Sequence, residues 1–255
     1  MDYEYTPEEV TGHKEFEQFC RDEIRGPAEG DAPEKRLEAL RTALTLLGRK
    51  DYLDPGRPML ASLPMHEAVA RASASVFAAA EASAATVGRL LDAAGTPAQK
   101  ERYLPGITAG GTIAAFAVTE AESGPEAFGI TTTAEKTAGG WLLQGAKTMI
   151  TNAPDADLVL VLAVTAGPAG GTGSGIFIVP RGTPGVSFGL PHETMGLKGA
   201  SLGDITFQAC ELPADAILGG PGEGQRLLRI AMTEGCIRYA AFSIGLARAC
   251  LDCSL

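Results

Sequence analysis

The sequence predicts an α+β chain in three parts: an N-terminal α-helical domain over residues 1–112, a middle antiparallel β domain, barrel-like or sandwich-like, over 113–218, and over 219–255 the first helix of a truncated C-terminal helical bundle. Three observations carry this. Before Gly110-Gly111 apolar residues recur at helical spacing, from Ile113 to Gln208 they come in short β-branched or aromatic runs, and after Leu212-Pro213 helical spacing returns. With 45% hydrophobic residues and mean hydropathy near zero, a globular protein with a substantial core is expected.

Thr6-Pro7-Glu8-Glu9 reads as an N-cap, a proline at the first helical position and an acidic first turn. Ala32-Pro33-Glu34-Lys35 opens a second helix with Leu37, Leu40, Leu44 and Leu47 on one face. Pro55, Gly56, Pro58 and Pro64 make residues 51–64 an irregular connection. Met65 to Ala94 is one long Ala-rich helix, or two, suited to close packing and assigned no chemistry. Gly95 ends it, Thr96-Pro97 opens a short helix, and Leu104-Pro105-Gly106 stops that one.

Strands are expected at Ile113–Val118, Ile130–Thr133, Trp141–Leu143, Thr148–Thr151, Leu158–Leu162, Gly175–Val179, Val186–Phe188 and Asp204–Gln208. Gly140 to Asn152 reads as a hairpin with Gly145 and Lys147 at its turn and Thr151 in a small polar cluster at its end. Thr165 to Gly175 is a flexible connection, not a phosphate cradle, because no helix or P-loop lysine follows. From about Glu223, Leu227, Ile230, Ala231, Ile237, Ala241, Ile244, Leu246 and Ala249 form an apolar stripe that needs a partner to cover it.

Thirty-one acidic against 21 basic residues, a net charge of -10, argue against a nucleic-acid partner. The five cysteines include one CxxC, Cys250-Leu-Asp-Cys253, without a second half, so no metal site is expected and the thiols are read as reduced. The acidic, polar start is no signal peptide and no run is long enough to span a bilayer, which points to a cytoplasmic protein with no membrane contact.

Five phrases stand in order: Gly95-Thr-Pro-Ala-Gln-Lys-Glu-Arg-Tyr-Leu-Pro105, Ala115-Phe-Ala-Val-Thr-Glu120, Gly140-Trp through Thr151-Asn152, Met195-Gly-Leu-Lys-Gly-Ala-Ser201, and Gly245-Leu-Ala-Arg248. Together they resemble the acyl-CoA dehydrogenase family from about Met65 to Leu255. The resemblance implies an FAD ring between the β domain and the C-terminal bundle, with Phe116, Val118, Thr119, Met149, Ile150 and Thr151 as cofactor-binding residues. Val118 would offer a backbone donor, Thr119 a hydroxyl toward the N1/O2 side, and Thr151 a hydroxyl at N5, where hydride from the substrate β-carbon arrives. Ser123, Gly124 and Cys236 would meet an acyl-CoA or acyl-carrier thioester. Without the flanking phrases, Thr119 and Thr151 would read as ordinary strand residues bonded to their neighbours.

Four departures accompany the resemblance. Pro125 replaces the serine that holds the pyrophosphate and thioester, and Glu122 adds charge beside it; Met149 replaces an aromatic residue; Cys236 takes the place of an arginine, with Arg238 on another face. The carboxylate that removes the α-proton lies, in most members, beyond this chain's length. Other members place it at the position of Gly235; Glu234 is offset by one residue, roughly 100° around the helix. No catalytic residue is therefore named. The leading expectation is an FAD-dependent α,β-desaturase of acyl thioesters, either an incomplete chain or one subunit of a split enzyme, whose oligomeric partner supplies the remaining helices and whose electrons pass to an electron-transfer flavoprotein. The alternatives are a non-catalytic scaffold or acyl-binding subunit of the same fold, and an oxygen-using flavoprotein.

Overall fold

In the computed structural model, residues 5–24, 26, 32–123, 129–166 and 172–255 are described. Helix α1 (Pro7–Glu23) begins where its capping chemistry dictates: the Thr6 hydroxyl accepts from the Glu9 amide at 3.2 Å and the Glu9 carboxylate accepts from the Thr6 amide at 2.8 Å. Helix α2 (Pro33–Gly48) turns Leu40, Ala43, Leu44 and Leu47 inward. Helix α3 (Met59–Ala72) starts inside the stretch expected to be irregular and contains Pro64. That proline forfeits one backbone bond, and the burial of Met65, Ala68, Val69 and Ala70 along the helix offsets the loss.

The Ala-rich segment breaks at Ser73, whose extended backbone ends α3 and whose hydroxyl caps α4 (Ala74–Ala80) through the Val76 amide at 3.3 Å. Helix α4 runs directly into a π-helical segment, Glu81–Gly88, and then into α5 (Arg89–Ala94). Helix α6 (Pro97–Thr108) carries a second capping box, Thr96 with Gln99, and passes through Leu104-Pro105-Gly106 instead of stopping there. Ile107, 1% exposed, anchors its last turn in the core, and the Thr108 hydroxyl donates to the Leu104 carbonyl at 3.0 Å.

Among the described residues eight strands follow: β1 (Ala114–Ala117), β2 (Thr133–Lys136), β3 (Gly140–Thr151), β4 (Leu158–Ala166), β5 (Thr172–Pro180), β6 (Val186–Phe188), β7 (Leu202–Pro213) and β8 (Ile217–Leu218). They form one sheet in the order β6-β7-β3-β2-β4-β5-β8, with β1 beside β4. The sheet is open and not a barrel, and it is mixed: β1 and β2 pair in parallel with β4, while the other pairings are antiparallel. Strand β4 shows why its apolar run lacks polar alternation. Leu158, Leu160 and Leu162 pack into the core shared with the helices, whereas Val159, Val161 and Ala163 pack with Trp141, Phe177 and Phe207 on the other face.

The expected hairpin at 140–152 is instead one twelve-residue strand. Its register with β7 shifts between Leu143 and Gly145 and again between Lys147 and Ile150, so the kinks that resemble a turn in sequence are bulges. Gly145 has φ 145°, and a Cβ there would lie 2.6 Å from Thr132 Oγ1. Of Ile130–Thr133 only Thr133 joins a strand. β4 and β5 extend into the 165–175 connection, of which residues 167–171 lie outside the described ones.

Helix α7 (Gly224–Ser254) crosses α3 closely: a Cβ on Gly245 would fall 2.4 Å from the Glu67 carbonyl oxygen, and Arg248 pairs with Glu67 at 2.6 Å. The expected stripe divides. Leu227, Ala231 and Ala241 are buried, and two exposed flanks border them, one with Met232, Tyr239 and Leu246 and the other with Ile237, Ile244 and Leu251. No helix among the described residues is long and apolar enough to cross a membrane, and none of them forms a His/Cys/Asp/Glu group that could hold a metal ion.

Candidate functional site

Where β1 and β3 meet the π-helical segment and α7, a groove of about 310 Å³ opens. Phe116, Thr119, Met149, Ile150 and Thr151 line its sheet side; Glu81, Ala82 and Thr86 from the π-helical segment and Ala231, Met232, Gly235, Cys236 and Tyr239 from α7 line its helical side. Five of the six expected cofactor residues thus converge with Cys236. Val118 does not line the groove; its carbonyl accepts from the Lys147 ammonium at 2.9 Å. Ser123 does not line it either, since its hydroxyl accepts from the Glu120 amide at 2.9 Å and donates to the Glu120 carbonyl at 3.1 Å. Gly124 and Pro125 lie outside the described residues.

The sheet wall is held rigid by groups that the sequence reading passed over. Lys147 sits at no turn: its side chain is fully buried and pairs at 2.8 Å with Glu120, 5% exposed. Glu120 also accepts from the Thr131 amide at 2.6 Å, the Thr131 hydroxyl at 2.7 Å and the Thr132 amide at 3.0 Å. Burial alone would raise the Glu120 carboxyl, but Lys147 and the two threonines outweigh it and bring it down to about 2. Burial lowers Lys147 more than Glu120 raises it. This pair ties residues 118–120, residues 131–132 and β3 together, directly behind Thr119. On the other flank the Thr148 hydroxyl donates to Asp204 at 2.7 Å, the Met149 amide donates to it at 3.1 Å, and His192 Nε2 lies 2.9 Å away. Thr148 and His192 hold the Asp204 carboxyl below its ordinary range. These bonds fix the bulge at which Met149 adopts φ 56° and stands 53% exposed along the groove. Asn152, fully buried at φ 68°, donates to the carbonyls of Ala79 at 3.0 Å and Ala114 at 2.9 Å and so fastens the end of β3 to α4 and β1.

Glu234 is turned out of the groove. Its carboxylate lies between Arg89 at 3.2 Å and Arg238 at 3.3 Å and lines a separate pocket of about 290 Å³ with Tyr52, His66 and Arg57. Arg238, 3% exposed, also pairs with Glu81 at 3.2 Å. In that second pocket His66 is pushed down to about 4, chiefly by burial and then by Arg238, so it is a neutral partner of the Tyr52 hydroxyl at 2.9 Å. A flat heteroaromatic ring suits the groove: a thioether and a phenyl ring supply apolar contact, two threonine hydroxyls supply edge hydrogen bonds, and the sheet side carries no carboxylate.

Residues 6–111 match the family model for the acyl-CoA dehydrogenase N-terminal domain, and residues 115–210 match the one for its middle domain. The human mitochondrial short-chain specific acyl-CoA dehydrogenase is 34% identical over 161 residues, 63% of this chain and 39% of that protein, so the chain spans about two fifths of the length of that relative. The structure of a glutaryl-coenzyme A dehydrogenase glutaryl-CoA complex superposes with a TM-score of 0.89 at 26% identity, covering 99% of this chain and 66% of the other. A solved FAD-dependent dehydrogenase superposes with a TM-score of 0.86 at 27% identity, covering 99% and 68%. By its two matched domains, its open sheet set between helices and the phrases that line its groove, the chain belongs to the acyl-CoA dehydrogenase family.

Proposed function

We propose that this chain binds FAD and an acyl-CoA thioester in the groove between β3 and α7 and takes part in α,β-desaturation of the acyl group. The observation that carries the reading is the convergence of Phe116, Thr119, Met149, Ile150 and Thr151 opposite Gly235 and Cys236. Met149 and Phe116 would pack on the ring, and Thr119 and Thr151 would hydrogen-bond its polar edge. When bound, FAD accepts the hydride that leaves the substrate β-carbon. The thioester would lie along the helical side, with Cys236 beside it; Ser123 and Gly124 remain assigned to it by the resemblance alone. The Lys147–Glu120 pair and Asn152 hold the ring-facing strand in place, so the hydroxyls are oriented before ligand arrives. Residues 1–112, 113–218 and 219–255 serve as the helical, sheet and C-terminal parts of this arrangement. Against the flank of α7 that carries Ile237, Ile244 and Leu251 we place the helices of an oligomeric partner, and we take an electron-transfer flavoprotein as the electron acceptor.

The test is direct. Purified chain titrated with FAD is expected to turn yellow and hold the flavin at one equivalent, and anaerobic butyryl-CoA is expected to bleach its visible band. A chain that binds no flavin sinks the proposal. The absence of an acid or arginine from α7 in the groove favours a second reading, a subunit that binds both molecules without turnover. Flavin retained at one equivalent but never bleached by butyryl-CoA would support that reading instead.

A further inference from the structure

Among the residues that line the groove, Glu81 is the one carboxylate. It opens the π-helical segment Glu81–Gly88, and π-turns interrupting an α-helix frequently mark functional sites. The widened turn sets the fifth following residue over the first, and the Thr86 hydroxyl accordingly donates to Glu81 Oε1 at 2.9 Å. Arg238 approaches the same oxygen, Nη2 at 3.2 Å and Nε at 3.3 Å. Among the described residues the hydrogen bonds to this carboxylate end on Oε1, which leaves Oε2 for a bound molecule. Across the groove stands Gly235, where a Cβ would lie 3.8 Å from Glu81 Oε1. A carboxylate projecting from residue 235 would occupy the space that the Glu81 carboxylate fills from the opposite helix.

We infer that Glu81 is the acid–base residue of this groove, taking the α-proton of a bound acyl thioester; the inference rests on the acyl-thioester reading above. The Cα–H bond breaks, its proton goes to Glu81, and the electron pair moves into the thioester carbonyl as an enolate. Return of the proton reverses each change. Arg238 is shared between Glu81 and Glu234, and Glu234 is held in turn by Arg89, so Arg238 is not tied to Glu81 alone. The bare Gly235 leaves the substrate carbon room beside the acid, and Thr119, Met149 and Thr151 face it from the sheet.

Proton exchange needs no flavin reduction and is measured separately from desaturation. The full chain with FAD and butyryl-CoA in D2O is expected to incorporate deuterium at C2, read by mass spectrometry. Glu81→Gln, measured at saturating FAD and butyryl-CoA, is expected to slow exchange by about 100-fold or more, the ordinary contribution of a positioned general base. Glu81→Asp, which keeps an acid for Arg238 but withdraws it by one methylene, is expected to slow exchange by roughly 10-fold. Glu81→Gln combined with Gly235→Glu is expected to restore exchange. Exchange at the original rate in both Glu81 variants overturns the inference, as does a wild-type chain that binds butyryl-CoA without exchanging its α-proton. In that last case the binding site proposed above survives. A wild-type chain that binds neither FAD nor butyryl-CoA removes both.

Discussion

Lys147→Met isolates the buried charge behind the groove. The lysine has no exposed side-chain surface, and its ammonium makes two bonds, to the Val118 carbonyl at 2.9 Å and to Glu120 at 2.8 Å. Removing it leaves Glu120 with three donors from Thr131 and Thr132 but without a countercharge. Breaking a buried pair costs about 3–5 kcal/mol, and an orphaned carbonyl costs about 1–3 kcal/mol. The apolar methionine stem recovers part of the sum, which puts the loss at about 4 kcal/mol at pH 7. At about 2–4 °C per kcal/mol for a chain of this size, Tm falls by on the order of 10 °C.

Urea unfolding followed by Trp141 fluorescence is the assay, because this single tryptophan is buried in β3, the strand that carries Lys147. The pH dependence has a definite sign. Glu120 is lowered in the folded chain from 4.5 to about 2, so its stabilisation is complete above 4.5 and lost as pH falls through about 2. The variant has less of this to lose, and the gap between the two proteins narrows from pH 5 downward. A loss below about 1 kcal/mol at pH 7, against the buried-pair expectation, or a gap that stays constant down to pH 3, would refute the assignment of a buried ion pair.

Asn152→Ala strips donors from the carbonyls of Ala79 and Ala114 and is expected to cost about 2–4 kcal/mol. Amide exchange should accelerate at β1 and α4 while β7 is unaffected, and equal acceleration throughout would contradict a local fastening role. Thiol titration of the native chain is expected to count Cys236, Cys250 and Cys253, the exposed ones, whereas burial raises Cys20 to about 12 and Cys210 to about 11 and keeps both silent. Bound FAD with butyryl-CoA should then protect Cys236 alone, and an unprotected Cys236 would argue that the groove is not the ligand site.

Much of the fold was legible because its signals are local. Thr6 and Thr96 announce helix starts through side chains that bond three residues away, and the return of helical spacing after Pro213 marks α7. The errors lie where a distant partner decides the outcome. Pro64 and Pro105 fail to break their helices because burial further along each one outweighs a lost bond. Gly145 and Lys147 resemble a turn, yet the glycine marks a bulge pressed against Thr132 and the lysine is the buried partner of a glutamate 27 residues earlier. Closure of a sheet depends on pairing between its end strands, β6 and β8, and no local pattern encodes that.

The groove shows the same division. Its sheet side could be read from the resemblance, since Phe116, Thr119 and the Met149-Ile150-Thr151 run occupy contiguous phrases. The helical side could not, because Glu81 and Gly235 meet only after two helices 154 positions apart cross. A signal was nevertheless present. Between Ala72 and Gly88 the chain holds small and apolar residues with two serines, a third at Ser83, one threonine and a single charged residue, Glu81. A lone charge in a segment so suited to burial must find a partner or a ligand, because an unpaired buried carboxylate is too costly to keep. Its partner from outside that segment, among the described residues, is Arg238, 3% exposed and likewise out of place on a packing helix. Two charged residues on opposite helices, each unfavourable where it stands, are explained together by the groove beside them.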